Sequence, residues 1–298
     1  MSLAAGLARP KTRRKVGIMT NRKLAYIVKD QKPLVQAAHE TVQQACRCMC
    51  ERRAGSVLVI DDRQRLCGIF TGRDAVRLLA DGKDAVTTRV EQAMTPNPVT
   101  IAPHNRAIDA MRAMINGGFR HVPVVDNGRV CGVVSRGDFK GMELEEFSWE
   151  GAYGRTGIAA NRDVASIVKN QKVLVLAADE TAQRACQSMS ESSSGSVLVV
   201  DTQQRLAGIF TGRDAVRLLA DGRDAAKKSL GQAMTPNPVT ITRESHAIDA
   251  LRTMADRGFR HLPVAENGRI YGVVSRSDFT GIEIDRLDEE EHLSECIW

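Results

Sequence analysis

The sequence predicts a mixed α+β (α/β mixed) chain of four βαββα units arranged as two pairs, and three observations lead there. LCGIFTGRDAVRLLADG at 66–82 returns as LAGIFTGRDAVRLLADG at 206–222, changed only at Cys67 against Ala207. QAMTPNPVTI at 92–101 returns unchanged at 232–241, and GFRHVPV at 118–124 returns as GFRHLPV at 258–264, all with a period of 140 residues. A fainter repeat sits inside each copy: GIFTGRD at 68–74 answers GVVSRGD at 132–138, and GIFTGRD at 208–214 answers GVVSRSD at 272–278, an offset of 64. Such a repeat dictates the architecture before any local structure is read. A unit of about 60 residues is too small to close a good core alone, so pairing units to bury their sheets is the expected solution.

The second unit is the best marked. MTPNPVTI opens with turn residues and enters a strand at Val99–Ile101. Pro103, His104 and Asn105 supply a helix start, and Ala107, Ile108, Met111, Met114 and Ile115 form an apolar stripe at helical spacing. Gly117 and Gly118 stop that helix. His121–Val125 and Arg129–Val134 alternate as strands around Asn127-Gly128, a two-residue hairpin turn. A last helix starts near Ser135. The resulting divisions are a basic N-terminal arm (1–23), units at 24–88 and 89–142, a connector (143–160), units at 161–228 and 229–282, and an acidic tail (283–298). The 140-residue period makes each half an expected autonomous folding unit.

Composition narrows the function classes. Hydrophobic residues make up 43% of the chain, enough for a core, and no run approaches the ~18 apolar residues of a membrane span. The N-terminal stretch lacks the apolar segment of a secretory signal, and seven cysteines, an odd number, suit a reducing compartment. The chain therefore reads as cytoplasmic, with no membrane partner. Residues 1–24 carry seven Lys/Arg and no acid, whereas residues 281–298 carry seven Asp/Glu and one Arg. A basic arm can serve nucleic acid, but no aromatic residues are interleaved and no nucleic-acid motif follows, so it reads as a solvated tail. Cys46, Cys48 and Cys50 invite a metal reading. Their counterparts, Cys186, Ser188 and Ser190, argue against it, and no metal is assigned. GxxxxGK[ST], HExxH and GxSxG are all absent, so no catalytic residue is assigned and the chain is read as non-enzymatic.

The repeated signature carries the chemistry. Thr71-x-x-Asp74 and its relatives form a capping box, which starts a helix whether or not anything binds. Each copy nevertheless places Arg in the first helical turn, where the helix dipole disfavours a cation by about 0.3–1 kcal/mol. Three copies also place Gly there (Gly72, Gly137, Gly212). A phosphate at the helix N-terminus accounts for both choices, through close backbone approach and bidentate Arg contact.

These motifs resemble those of the CBS domain, whose pairs form a Bateman module; the likeness covers about 24–142 and 161–282. The terminal G-h-h-[ST]-x-x-D signature appears in all four units, while the first and third lack MTPNPVT and carry GSVLV in place of RHxPV. The resemblance implies a regulatory protein that binds AMP, ADP, ATP or a related adenosine compound in clefts between paired domains. It implies ribose acids at Asp74, Asp138, Asp214 and Asp278, and hydroxyls at Thr71, Ser135, Thr211 and Ser275. Arg73, Arg136, Arg213 and Arg276 become phosphate ligands, joined by Arg120 and Arg260 beside the repeated His121 and His261. Adenine would lie against Val99, Thr100, His121 and Val133, or Val239, Thr240, His261 and Val273, with Thr95 and Thr235 in the lead-in segment. No further domain fits within the repeats, so the regulated partner is expected to be another chain. The pairs would stack within one chain or assemble as a homodimer. A nucleic-acid-associated regulator using the basic arm, and an interaction scaffold with vestigial clefts, are the alternatives.

Overall fold

The computed structural model describes residues 22–139, 162–222, 224 and 228–279. The basic arm, the connector and the acidic tail therefore lie almost wholly outside the described residues. The first unit runs α1 (Leu24–Val28), β1 (Val35–Ala37), α2 (Val42–Glu51), β2 (Ser56–Ile60), β3 (Leu66–Thr71) and α3 (Gly72–Ala80). The second runs α4 (Val90–Ala93), β4 (Thr95–Pro96), α5 (Ala107–Gly117), β5 (His121–Asp126), β6 (Arg129–Ser135) and a 3₁₀ turn at Arg136–Asp138. The second half repeats this order as α6 (Val164–Val168), β7 (Val175–Ala177), α7 (Ala182–Glu191), β8 (Ser196–Val200), β9 (Leu206–Thr211) and α8 (Gly212–Ala220). It continues with α9 (Leu230–Ala233), β10 (Thr235–Pro236), α10 (Ala247–Arg257), β11 (His261–Glu266), β12 (Arg269–Ser275) and a 3₁₀ turn at Arg276–Asp278.

Local chemistry explains the boundaries. Thr41 begins α2 by accepting from the Gln44 amide, and Val42, Ala45, Cys46 and Met49 turn one buried face inward. Gly118 ends α5 at φ 66°, and Asn127 (φ 49°) with Gly128 (φ 80°) makes the positive-φ hairpin turn that the β5–β6 twist requires. Three sequence expectations need correction here. The strand at Val99–Ile101 shrinks to a single parallel bridge from Ile101 to Val124, because Asn97 turns at φ 45° and Pro98 lacks an N–H. Pairing falls instead on Thr95 and Pro96, antiparallel to Ile69 and Gly68. Ile115 is 42% exposed, outside the buried stripe of α5. After Ser135 the chain makes a 3₁₀ turn through Asp138, and residues 140–161 lie outside the described residues.

Units within a half exchange elements. β4, from the second unit's lead-in, completes a sheet ordered β1-β2-β3-β4, in which β1 runs parallel to β2 and the other pairs are antiparallel. In return, Leu24 and Val28 of α1 bury among Met111, Met114, Val122, Val124 and Val134 of the second unit. The second half repeats this exchange with β10 and α6.

The largest core crosses the two halves. Val42, Cys46, Met49, Phe70, Val76 and Leu79 pack in one cluster with Cys186, Met189, Phe210, Val216 and Leu219. Here α2 lies against α8, α3 lies against α7, and α3 meets α8 between them. Polar ties follow the same symmetry. Arg47 Nε donates to the Ala220 carbonyl at 2.9 Å, and Gln183 and Gln187 donate to the Ala80 carbonyl at 3.5 and 3.4 Å. Each half thus closes the C-terminal end of the other's signature helix, where carbonyls lack intrahelical partners. The first and third units thus complete one another's core. A fragment of residues 1–142 should self-associate through the bared faces of α2 and α3. Analytical ultracentrifugation should show a dimer at micromolar concentration; a folded monomer would contradict a core that needs both halves.

Candidate functional site: an arginine-lined centre between the halves

The signature aspartates divide into two kinds. Asp74 is only 2% exposed. Its Oδ2 accepts from the Thr71 amide and hydroxyl, both at 2.8 Å. Its Oδ1 accepts from Arg77 at 2.8 Å and from Thr95 Oγ1 at 3.0 Å. Asp214 repeats the arrangement with Thr211, Arg217 and Thr235. These groups start α3 and α8 and fasten β4 and β10, and their capacity is used by the fold. Asp138 and Asp278 are more open. Asp138 Oδ2 accepts from the Ser135 amide at 2.6 Å and its hydroxyl at 2.8 Å, and Asp278 Oδ2 accepts from the Ser275 amide at 2.7 Å. Their Oδ1 atoms have no hydrogen bond among the described residues.

The arginines converge on the junction of the halves. α3 and α8 approach so closely that a Cβ on Gly72 would stand 3.3 Å from the Gly212 carbonyl, and one on Gly212 would stand 3.2 Å from the Gly72 oxygen. A side chain at either position would press on the opposing backbone, which would have to give by a few tenths of an ångström. A Cβ on Gly55 would fall 2.9 Å from His121 Nε2 and 3.6 Å from an Arg260 terminal nitrogen. Gly195 stands in the same relation to His261 and to Arg120, at 2.7 and 3.4 Å. Each histidine thus shares its surroundings with an arginine from the other half.

The electrostatics of this centre are one-sided. Burial lowers the Arg120 guanidinium below its ordinary value, and Arg260, Arg73 and Arg136 lower it further, with Asp278 opposing. Burial acts likewise on Arg260, with Arg213 and Arg276 adding to it and Asp138 opposing. Burial, with Arg260 and Arg120, pushes His121 down to about 4, and His261 is pushed to about 4 by burial and the same arginines with Arg213. Both imidazoles are neutral at pH 7. Among the described residues, the charges acting on Arg120 and Arg260 are mostly those of other arginines, with Asp278 and Asp138 opposing. Arg73 and Arg213 are steadied by bonds to the Gly118 and Gly258 carbonyls at 3.1 and 3.3 Å. Arg136 keeps a buried Nε with no partner among the described residues.

The adenine-side candidates are less uniform. Val99 and Val239 are 55% and 40% exposed, and Thr100 is exposed. Thr240 lines a groove of about 260 Å³ with Leu206, Asn237, Pro238 and Ala265. The Val133 amide donates to Gln31 Oε1 at 3.1 Å, while Val273 exchanges two hydrogen bonds with the Gln171 amide, at 2.9 and 2.7 Å. Gln31 and Gln171 were not singled out from sequence, nor were Arg22 and Arg162, which donate to the Asp138 and Asp278 carbonyls at 2.9 Å. Their recurrence at the 140-residue period was the available signal. Among the described residues no group of three His, Cys, Asp or Glu could hold a metal ion, and no helix is long and apolar enough to cross a membrane.

This fold and signature define a class of paired regulatory domains. The family model described as "CBS domain" matches residues 18–81, 90–142, 164–221 and 229–283. The chain belongs to the CBS domain family. It is 30% identical over 274 residues to the CBS domain-containing protein CBSCBSPB1 of Arabidopsis thaliana, covering 82% of this chain and 50% of that protein. It is 27% identical over 307 residues to the meiotically up-regulated gene 70 protein of Schizosaccharomyces pombe, covering 84% and 42%. The chain thus spans about half the length of the curated relatives it matches. The crystal structure of protein MJ1225 from Methanocaldococcus jannaschii shares the fold at 16% identity and a TM-score of 0.67, covering 89% of this chain and 99% of that one.

Two measurements check this geometry. Asp74→Ala removes the buried acceptor shared by Thr71, Arg77 and Thr95 and should cost about 1–3 kcal/mol in urea denaturation, while Asp138→Ala should cost less. Equal costs would contradict the division. His121 and His261 titrate below their ordinary value in the folded state, so the unfolded chain takes up protons first as pH falls. Stability present above about pH 6.5 should decline between there and pH 4. H121Q/H261Q should flatten that part of the profile; an unaltered slope would show that other groups carry it.

Proposed function

We propose that this chain is a non-catalytic regulatory module that binds adenine nucleotides, with their phosphates drawn to the arginine-lined centre. The observation that carries the reading is the surplus of positive charge around Arg120 and Arg260. Partly buried guanidiniums that repel one another are costly unless an anion joins them, and phosphate oxygens match their donor geometry. Family membership supplies the nucleoside part. Asp138 and Asp278, each with an Oδ1 unpartnered among the described residues, are the residues best suited to accept ribose hydroxyls, and Thr240 with its groove suits the base. AMP, ADP and ATP share these features.

The same geometry suggests how binding becomes a signal. Asp138 acts on Arg260 and Asp278 on Arg120, so each site draws residues from both halves. A bound phosphate would relieve repulsion across the junction and shift how α2 and α3 seat against α7 and α8. Another module, in a separate chain or joined to this one, would read that shift. Ligand shifts such an equilibrium only by its differential affinity for the two arrangements.

Titration calorimetry with AMP tests this reading. Asp138→Ala and Asp278→Ala should weaken binding about tenfold to a hundredfold, as expected for loss of about 1–3 kcal/mol of ribose hydrogen bonding. Asp74→Ala and Asp214→Ala should change affinity less than they change stability. No heat and no thermal shift with AMP, ADP or ATP at millimolar concentration, in ligand-free protein, would overturn the proposal.

A further inference from the structure

The outer edge of β6 and β12 is held by a side chain where its counterpart in β3 and β9 is held by backbone. Ile69 and Gly68 of β3 pair with Thr95 and Pro96 of β4, and Ile209 and Gly208 of β9 pair with Thr235 and Pro236 of β10. The 64-residue offset carries Ile69 onto Val133 and Thr95 onto Gln31, and in the second half Ile209 onto Val273 and Thr235 onto Gln171. Neither glutamine lies in a strand, and its carboxamide stands in for one. The Val133 amide donates to Gln31 Oε1 at 3.1 Å. The Val273 amide donates to Gln171 Oε1 at 2.9 Å, and Gln171 Nε2 donates to the Val273 carbonyl at 2.7 Å. Two further observations mark the contact as built. The Gln31 and Gln171 amides donate to the Val28 and Val168 carbonyls at 3.0 and 3.1 Å, which fixes each glutamine just beyond a buried helix end. A Cβ on Gly132 would stand 2.6 Å from Val28 Cβ and 2.7 Å from Gln31 Oε1, so a side chain there would push both aside. Gly272 stands likewise to Val168 and Gln171, at 2.6 and 3.0 Å.

We propose that the carboxamides of Gln31 and Gln171 occupy the place of the nucleobase edge on Val133 and Val273, and that a 6-aminopurine binds by displacing them. The proposal rests on the reading of this chain as a nucleotide binder and adds how the base is read. A carboxamide joins a donor nitrogen and an acceptor oxygen through one carbon. Adenine joins its 6-amino donor and its N1 acceptor in the same way, so one backbone N–H and C=O serves either. The spacing agrees. Val133 and Ser135 lie on the same edge of β6, about 6.6–6.8 Å apart along the strand, and Asp138 accepts from Ser135, which puts the base-reading backbone beside the ribose acid. Val273, Ser275 and Asp278 repeat the arrangement. Gln31 is half-buried and Gln171 exposed, so each carboxamide holds its strand only a little better than water does, and a base exchanges it at small cost. The ladders on β3 and β9 allow no such exchange, because opening them unseats β4 and β10 with the threonines bonded to Asp74 and Asp214. Base recognition therefore falls on two of the four edges, one in each half.

Calorimetry on the full chain tests this with three probes: AMP, purine riboside 5′-monophosphate, which lacks the 6-amino group, and inorganic pyrophosphate, which lacks a base. Q31A/Q171A should bind AMP about three- to tenfold more tightly than the parent, because no carboxamide competes. Q31M/Q171M, which keeps side-chain length without the hydrogen bonds, should do the same. Pyrophosphate affinity should be equal in all three proteins. The parent should take up two AMP per chain and bind purine riboside 5′-monophosphate about three- to tenfold more weakly than AMP. The two side-chain amide resonances missing from Q31A/Q171A should move in the parent's nitrogen-15 spectrum when AMP is added and stay in place with pyrophosphate. AMP affinity unchanged or lowered in both variants, with pyrophosphate affinity intact, would overturn the glutamine proposal and leave the phosphate reading standing. Four AMP per chain would overturn the restriction to two edges. Failure of every form to bind AMP or pyrophosphate would overturn the nucleotide reading as well.

Discussion

The close approach of α3 and α8 at Gly72 and Gly212 is the constraint on which the other features rest. Two helix N-termini meet with backbone against backbone, closely enough that a Cβ on either glycine would crowd the other chain segment. The approach is held by the apolar faces of four helices, in which Phe70 and Phe210 are wholly buried. It has an electrostatic cost, because the positive ends of two helix dipoles and the arginines of both signature turns are brought together. Hydrophobic burial offsets that cost, and the offset lets the chain maintain a concentrated positive field at its centre.

The four repeats then share labour unevenly. In the first and third units the signature acid is spent on the fold: Asp74 and Asp214 start a helix, hold an arginine, and fasten the threonine of the next unit's lead-in. In the second and fourth units the same acid sits on a short 3₁₀ turn with one oxygen unpartnered among the described residues. Helix length accompanies the difference. A nine-residue α-helix succeeds Thr71 and packs into the shared core, whereas the chain after Ser135 makes only three 3₁₀ residues before Phe139. One motif thus serves as a structural fastener where it is buried and as a candidate ligand contact where it is not.

Much of this was legible in the sequence because the repeat is exact where packing is tight. The hairpin at Asn127-Gly128, the Gly118 stop and the buried stripe of α5 all follow from turn chemistry and periodicity. The exchange of α1 and β4 between units was not legible, since a five-residue helix and a two-residue strand carry too little pattern to say where they pack. The glycines show where inference stopped short. Their cost within a helix was visible, and a phosphate was the natural reason to give for it, yet at Gly72 and Gly212 the structure supplies an opposing backbone. Nothing in one-dimensional spacing marks a contact between positions 140 residues apart. The arginine cluster was half legible: Arg120 and Arg260 stood out beside their histidines, but their meeting across the halves needed the fold.

The central claim is that the arginines form an anion site at a cost to the unliganded protein. It is tested most directly by measuring the thermal stability of R120Q/R260Q against the parent chain, each with and without inorganic phosphate, at constant ionic strength. Removing two mutually repelling cations should raise the melting temperature of the free protein and abolish its stabilisation by phosphate. A double variant that is less stable without ligand, and still gains as much from phosphate as the parent, would contradict the account.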